Sequence, residues 1–155
     1  MSFEKTPAGT RGPRQPASNP FFRFAMSAME RYHRLRGDRF LGMDLLYLTT
    51  VGAKTGEERR HPLSRFSDGA GWLVVASAGG TIRHPGWYHN IAAHPDQVWI
   101  ELGGTKFRAV AEQLDGERYD AAWQRITAEQ PRYLGYQNKT DRHIPIVRLT
   151  AAVSD

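Results

Sequence analysis

Apolar residues along this chain fall into two rhythms, and the change from one to the other marks its elements. Between Asn19 and Gly37 the apolar positions Phe21, Ala25, Ala28, Met29, Tyr32 and Leu35 keep helical spacing. Asn19 suits an N-cap and Pro20 the first helical position, so the pattern predicts an amphipathic helix over 20–36. Leu45 to Val51 is a β-rich apolar run that ends in a glycine-bracketed turn, Gly52-Ala53-Lys54-Thr55-Gly56. Glu58 to Phe66 predicts a second strand, placed at an edge or bulged by Pro62. Trp72 to Ala76 is apolar throughout and predicts a central strand, leaving the core through Ser77-Ala78-Gly79-Gly80. A short helix is expected between Pro85 and Pro95, with Trp87 and Ile91 inward. Gln97–Leu102 and Thr105–Gln113 form a hairpin across Gly103-Gly104. Asp115 caps a helix with Tyr119, Ala122, Trp123 and Ile126 on its buried stripe, and Pro131 closes it. Tyr133, Tyr136, Asn138 and Lys139 fall on a polar connection, and Ile144–Leu149 is the sixth strand. The fold expected is α+β: a six-stranded antiparallel barrel with flanking helices.

Composition narrows the classes. The 155 residues suit a single domain over residues 19–155, preceded by a flexible basic tail over 1–18 rich in proline and glycine. There are no cysteines, so a disulfide framework, a Cys-based zinc site and a thiol nucleophile are excluded. His84, His89 and His94 recur every five residues, which spreads them around a helix, and no metal site is expected. No apolar run has the length of a membrane span and the N-terminus carries no signal-peptide core, so the cytoplasm is the default location. The formal charge of +5 favours an anionic partner.

Two glycine-rich strand exits, at Gly52–Gly56 and Ser77–Gly80, offer open backbone N–H groups to a ligand. Lys54 at the tip of the first could hold an anion, although on this stretch alone a solvated turn lysine is the simpler reading. The loop is not a Walker A motif, because no Gly-Lys-Ser/Thr run and no helix follow.

The ordered blocks Thr49-Thr50-Val51-Gly52-Ala53-Lys54-Thr55-Gly56, Arg59 with Pro62-Leu63, Ala76-Ser77-Ala78-Gly79-Gly80, Pro85-Gly86-Trp87-Tyr88-His89-Asn90 and Ala93-His94-Pro95 resemble the actinobacterial deazaflavin-dependent nitroreductase/quinone reductase family. Pro131-Arg132-Tyr133, Tyr136-Gln137 and Thr140-Asp141-Arg142-His143-Ile144-Pro145-Ile146 extend the resemblance to the C-terminus. It implies a split β-barrel like that of the flavin-binding pyridoxamine oxidases. It implies an oxidoreductase that transfers a hydride from reduced coenzyme F(420) to a quinone or another electron-poor molecule, such as a nitro compound or unsaturated lactone. Menaquinone is a candidate acceptor. The coenzyme-binding residues it implies are Thr50, Gly52, Lys54, Thr55, Arg59, Pro62, Ala76, Ser77, Ala78, Gly79, Gly80, Trp87 and Asn90. Ser77, Tyr133 and Tyr136 are the implied catalytic set. Many family members carry a basic residue where Ala53 stands, and some where Ala78 stands, so the charge for the coenzyme tail falls to Lys54 and Arg59, or to Arg60, Arg65 or Arg83. Some members have a tyrosine where this chain has Gln130.

Two other classes compete: a flavin mononucleotide oxidoreductase on the same barrel, and a non-enzymatic basic module for membrane or RNA. The aromatics sit mostly on apolar stripes, which disfavours nucleic acid. Phe21, Phe22 and Phe24 beside Arg23, Arg31 and Arg34 give the N-terminal helix a membrane-surface reading, against the default that it packs on the domain.

Overall fold

A computed structural model describes residues 3–14, 39–40 and 43–153. The helix expected over 20–36 lies outside them. Eight strands run in the order β1 (Arg39–Phe40), β2 (Met43–Val51), β3 (Glu58–Ser64), β4 (Phe66–Asp68), β5 (Gly71–Val75), β6 (Val98–Leu102), β7 (Thr105–Gln113) and β8 (Ile146–Ala151). Among the described residues three α-helices accompany them: α1 (Gly86–Ala93), α2 (Gly116–Glu129) and α3 (Arg132–Lys139).

All pairings are antiparallel, in the order β1-β2-β6-β7-β8-β5-β4, with β3 also on β2. Since β3 and β4 are neighbours in sequence but pair with β2 and β5 at the two ends of this order, the sheet curls into the expected split barrel. Six strands were expected and eight are found among the described residues. The two-residue β1 is additional, and the expected strand Glu58–Phe66 divides at Arg65. There the Arg65 N–H donates to Asp44 O at 2.9 Å and its guanidinium donates to Leu45 O. This bond turns the chain out of the β2 ladder, and Phe66 continues opposite Leu73. Pro62 lies opposite Tyr47 on β3, whose only described partner is β2. An edge strand tolerates the missing N–H.

The period of two in β5 separates two cores. Val74 joins Leu46, Leu48, Ile91, Ile100, Val147 and Leu149 inside the barrel. Leu73 and Val75 face the other way, with Ile146, against Tyr119, Ile126 and Tyr133 of α2 and α3. Covered on both faces, β5 is apolar throughout, as its sequence required. Helix α2 begins after Asp115, as expected, but the Asp115 side chain makes no capping bond. Tyr119 fixes the helix instead, donating its hydroxyl to Ile144 O at 2.7 Å.

Two expectations are corrected. The segment after Pro131 is helical, not a polar connection. Pro131 ends α2 and stands at the N-cap of α3, a position that needs no N–H. Residues 3–14, expected to be a loose tail, are laid on the domain. Gly9 N–H donates to Ile82 O at 2.8 Å, and Pro13 O accepts from Ile82 N at 2.9 Å. Thr6 N–H donates to the Tyr88 hydroxyl at 3.0 Å, and the Thr10 and Arg11 N–H groups both donate to Asp141 Oδ1. The Thr10 hydroxyl also donates to the Asp141 carboxylate, and this bond first, with the Arg11 and Thr10 N–H bonds, draws the Asp141 carboxyl down to about 2.

Candidate active site

Where β3, β5, α1 and α3 converge they leave a cleft of about 330 Å³. One wall is Pro62, Leu63 and Ser64 of β3. Val75 and the turn Ser77-Ala78-Gly79 form the floor, Pro85 and Trp87 a second wall, and Arg132, Tyr133 and Tyr136 a third. The lining is mainly apolar or aromatic, with a few polar groups, the usual make-up of a small-molecule site.

The floor has an unusual backbone. Ala78, Gly79 and Gly80 follow one another with φ of 45°, 66° and 80°, and Ala78 is the sole non-glycine with positive φ among the described residues. Gly80 has no alternative: a Cβ there would lie 2.3 Å from the Tyr136 carbonyl oxygen, because α3 crosses the turn at that point. Gly80 N–H donates to Ser77 O at 2.8 Å and Thr81 N–H to Ala78 O at 3.3 Å. Among the described residues the N–H groups of Ala78 and Gly79 meet no acceptor.

Arg142 holds this turn from beneath. Its side chain is 1 % exposed. It donates to Ala76 O and Thr81 O at 3.0 Å each, and to Ser77 O at 2.7 Å. A further N–H reaches His84 Nδ1 at 2.8 Å, which leaves the His84 proton on Nε2, donated to Thr6 O at 2.8 Å. Burial, with the neighbouring guanidinium, depresses the His84 pKa to about 4, while the Thr6 bond works in the opposite direction.

Tyr133 and Tyr136 are three residues apart on one face of α3, their rings edge-to-face at 5.4 Å. Burial raises the Tyr133 pKa, opposed by a hydrogen bond with Ser64 and by the charge of Arg132. The Tyr133 hydroxyl therefore keeps its proton near neutrality. Tyr136 is less buried, with the Lys139 ammonium 5.8 Å from its ring centroid.

The Lys54 turn does not line the cleft, but a buried side chain ties it to the cleft wall. Asn90 of α1, one turn beyond Trp87, accepts from Ala53 N–H at 3.0 Å and donates to Thr50 Oγ1 at 3.1 Å. Gly52 closes the turn, its carbonyl accepting from Gly56 N–H at 2.9 Å, and a Cβ on Gly52 would meet Thr55 Oγ1 at 2.5 Å. Lys54 and Thr55 are exposed, and Lys54 makes no ion pair among the described residues. Arg59 is salt-bridged to Glu57 at 3.1 Å and Arg60 to Glu101 at 3.6 Å.

The model of the F420H(2)-dependent quinone reductase family matches residues 21–151. The chain belongs to this family. A Mycobacterium tuberculosis quinone reductase of the same name, Rv1261c, is 44% identical over 108 residues, spanning 68% of this chain and 72% of the relative. The solved structure of an F420-H2 dependent reductase, FDR-A, is 37% identical with a TM-score of 0.60, over 68% of this chain and 92% of that one. Campylobacter jejuni ChuZ shares the fold alone, at 15% identity and a TM-score of 0.52, over 81% of this chain and 53% of its own. As a member of the F420H(2)-dependent quinone reductases the protein is an oxidoreductase, its cofactor is coenzyme F(420), and its acceptor class is the quinones.

The cleft brings together seven of the residues implied for this quinone reductase: Pro62, Ser77, Ala78, Gly79, Trp87, Tyr133 and Tyr136. Gly52, Lys54 and Thr55 stand apart on the first turn, with Thr50 and Arg59 paired on the two strands that lead into it, and Asn90 joins this region to the cleft. Ala76 and Gly80 are buried in the supporting layer, where they carry the Arg142 and α3 contacts. The residues implied for the coenzyme fit such a molecule by their chemistry: two N–H groups beside an apolar cleft that meet no acceptor among the described residues, and an ammonium, unpaired among the same residues, on a turn tied to its wall. Arg142, Ser64 and Arg132 were missed as site residues. Only Arg142 had a signal in the sequence, the Thr140-Asp141-Arg142 block.

Proposed function

We propose that the Ser77-Ala78-Gly79 turn and Trp87 hold the deazaflavin ring of coenzyme F(420), that the Lys54 turn holds its anionic tail, and that a quinone is reduced beside Tyr133 and Tyr136. Bound in its reduced form, the coenzyme supplies the hydride. The observation that carries this reading is the pair of N–H groups on Ala78 and Gly79. They sit on a left-handed turn braced by a buried guanidinium, a donor set fixed before any ligand arrives. Such preorganisation suits hydride transfer, which depends more on close alignment than on an acid–base pair. Among the described residues Lys54 has no competing carboxylate, whereas Arg59 must share itself with Glu57. Tyr133, protonated and buried, is available to donate to a reduced acceptor oxygen.

One pair of variants tests the division of labour. Lys54→Ala should weaken coenzyme binding by about 1–3 kcal/mol, the scale of a lost charge-assisted contact, with turnover at saturation little changed. Tyr133→Phe should lower quinone turnover and leave coenzyme affinity nearly intact. Unchanged coenzyme affinity in Lys54→Ala would make it a surface lysine, and an equal loss of coenzyme binding in Tyr133→Phe would move that residue to the coenzyme wall.

Menaquinone as acceptor and a shallow membrane contact through residues 20–36 extend the same reading. Phe21, Phe22 and Phe24 with their neighbouring arginines supply aromatic surface and positive charge for anionic headgroups. Among the described residues no helix is long and apolar enough to cross a membrane. Salt-sensitive sedimentation with anionic vesicles supports the contact, and none at low salt refutes it.

A further inference from the structure

Reduction of a quinone inside this cleft has a charge to place. The acceptor gains a hydride, two electrons and one proton, while the coenzyme is oxidised by two electrons. The first product is a hydroquinone monoanion, and a second proton completes the neutral hydroquinone. The side chains of Pro62, Leu63, Val75 and Pro85 give that anion nothing to bond with. In such surroundings an uncompensated oxyanion is costly.

One side chain on the cleft wall has the right charge. Among the described residues that line the cleft, Arg132 is the cation and none is a carboxylate. It begins α3, directly before the buried Tyr133. It is half-buried, and among the described residues it forms no hydrogen bond or ion pair. Its charge is felt at the Tyr133 hydroxyl, where it favours the ionised form. Lys54 lies on the other turn and does not line the cleft, and Arg142 spends its donors on three carbonyls and His84.

We propose that Arg132 is a catalytic residue for the acceptor half of the reaction, and that its guanidinium stabilises the oxyanion that forms on the quinone as the hydride arrives. The role rests on the cleft being the acceptor site. A guanidinium presents several donors in a fixed fork and stays charged throughout the working pH range, so it meets the oxyanion without reorganising. Tyr133 then delivers the completing proton and recovers it from solvent. The same charge makes the cleft selective: acceptors that become phenolate-like on reduction gain from it, and ligands already carrying such an oxyanion bind more tightly than neutral ones.

The test uses the full chain with Arg132→Gln and Arg132→Lys. Two probes are compared: a neutral naphthoquinone as substrate, and a hydroxynaphthoquinone ionised at neutral pH as an equilibrium ligand followed by its absorbance. With saturating reduced coenzyme, Arg132→Gln should lower turnover about tenfold or more, less than the roughly hundredfold to thousandfold loss for a donor in an enclosed oxyanion hole because Arg132 is partly exposed. Its affinity for the ionised hydroxynaphthoquinone should fall about tenfold. Affinity for the neutral quinone and for the coenzyme should stay within about twofold, since this contact is made only with the anion. Arg132→Lys should recover part of both losses. Wild-type turnover with an unaltered Arg132→Gln rate and unaltered anion binding would overturn the role alone. No quinone turnover by the wild type would overturn the acceptor reading and this role with it.

Discussion

Replacing Gly80 by alanine sets a methyl group against the carbonyl of Tyr136. The added Cβ would lie 2.3 Å from that oxygen and 3.0 Å from the carbonyl carbon and Cα behind it. These are backbone atoms, so no side-chain rotation relieves the clash. The position also has φ +80°, where an L side chain is strained. A left-handed conformation costs alanine about 1–2 kcal/mol, and overpacking at a close backbone contact adds about 1–3 kcal/mol. The variant should lose about 2–5 kcal/mol of stability, read from urea unfolding midpoints at unchanged slope. Relief requires α3 to shift away from the Ser77–Gly80 turn, which carries Tyr133 and Tyr136 with it. Quinone turnover in the folded fraction should therefore fall as well. Stability within about 0.5 kcal/mol of wild type, with unaltered turnover, would refute the claim that α3 is seated on this turn.

Two further outcomes follow from the supports of the site. Asn90→Ala removes the acceptor of Ala53 N–H and the donor to Thr50, so it should cost about 1–3 kcal/mol of stability and weaken coenzyme binding by loosening the Lys54 turn, both measurable by denaturation and fluorescence titration. His84 is held neutral in the folded protein, with its pKa lowered from 6.5 to about 4. As pH falls below 6.5 the unfolded chain takes up this proton first, so stability falls with pH until about 4 and changes no further on this account. A shift of this size corresponds to at most about 3 kcal/mol, so the effect should be about 1–3 kcal/mol. His61, His89 and His143 are lowered as well, so the His84 share is the difference in pH slope between wild type and His84→Gln.

What was legible in the sequence was what rests on local pattern. The alternation in the strands, the glycine turns and the Pro62 edge position all follow from backbone preference and burial within a few residues. The split at Arg65 did not show, because its cause is a bond to the backbone of Asp44 and Leu45, some twenty positions earlier. Helix α3 was hidden by Pro131, which reads as a stop but serves equally as a start. Residues 3–14 have the composition of a loose tail, and only their distant partners Tyr88, Ile82 and Asp141 hold them down. Of the site, the two exposed turns could be seen as open backbone. The bracing by Arg142 could not, since its partners are carbonyls and a ring nitrogen 58 to 66 residues away, with no periodicity to reveal them.

The central claim is that this barrel binds a deazaflavin and passes its hydride to a quinone in the cleft. It is tested most directly by mixing the wild-type protein with reduced coenzyme F(420) and a naphthoquinone in a stopped-flow instrument and following the absorbance of the oxidised coenzyme. Flavin mononucleotide is titrated in parallel. The account predicts protein-dependent oxidation of the coenzyme that saturates with the quinone, and no tight binding of flavin mononucleotide. Tight flavin mononucleotide binding with no oxidation of the deazaflavin would contradict it.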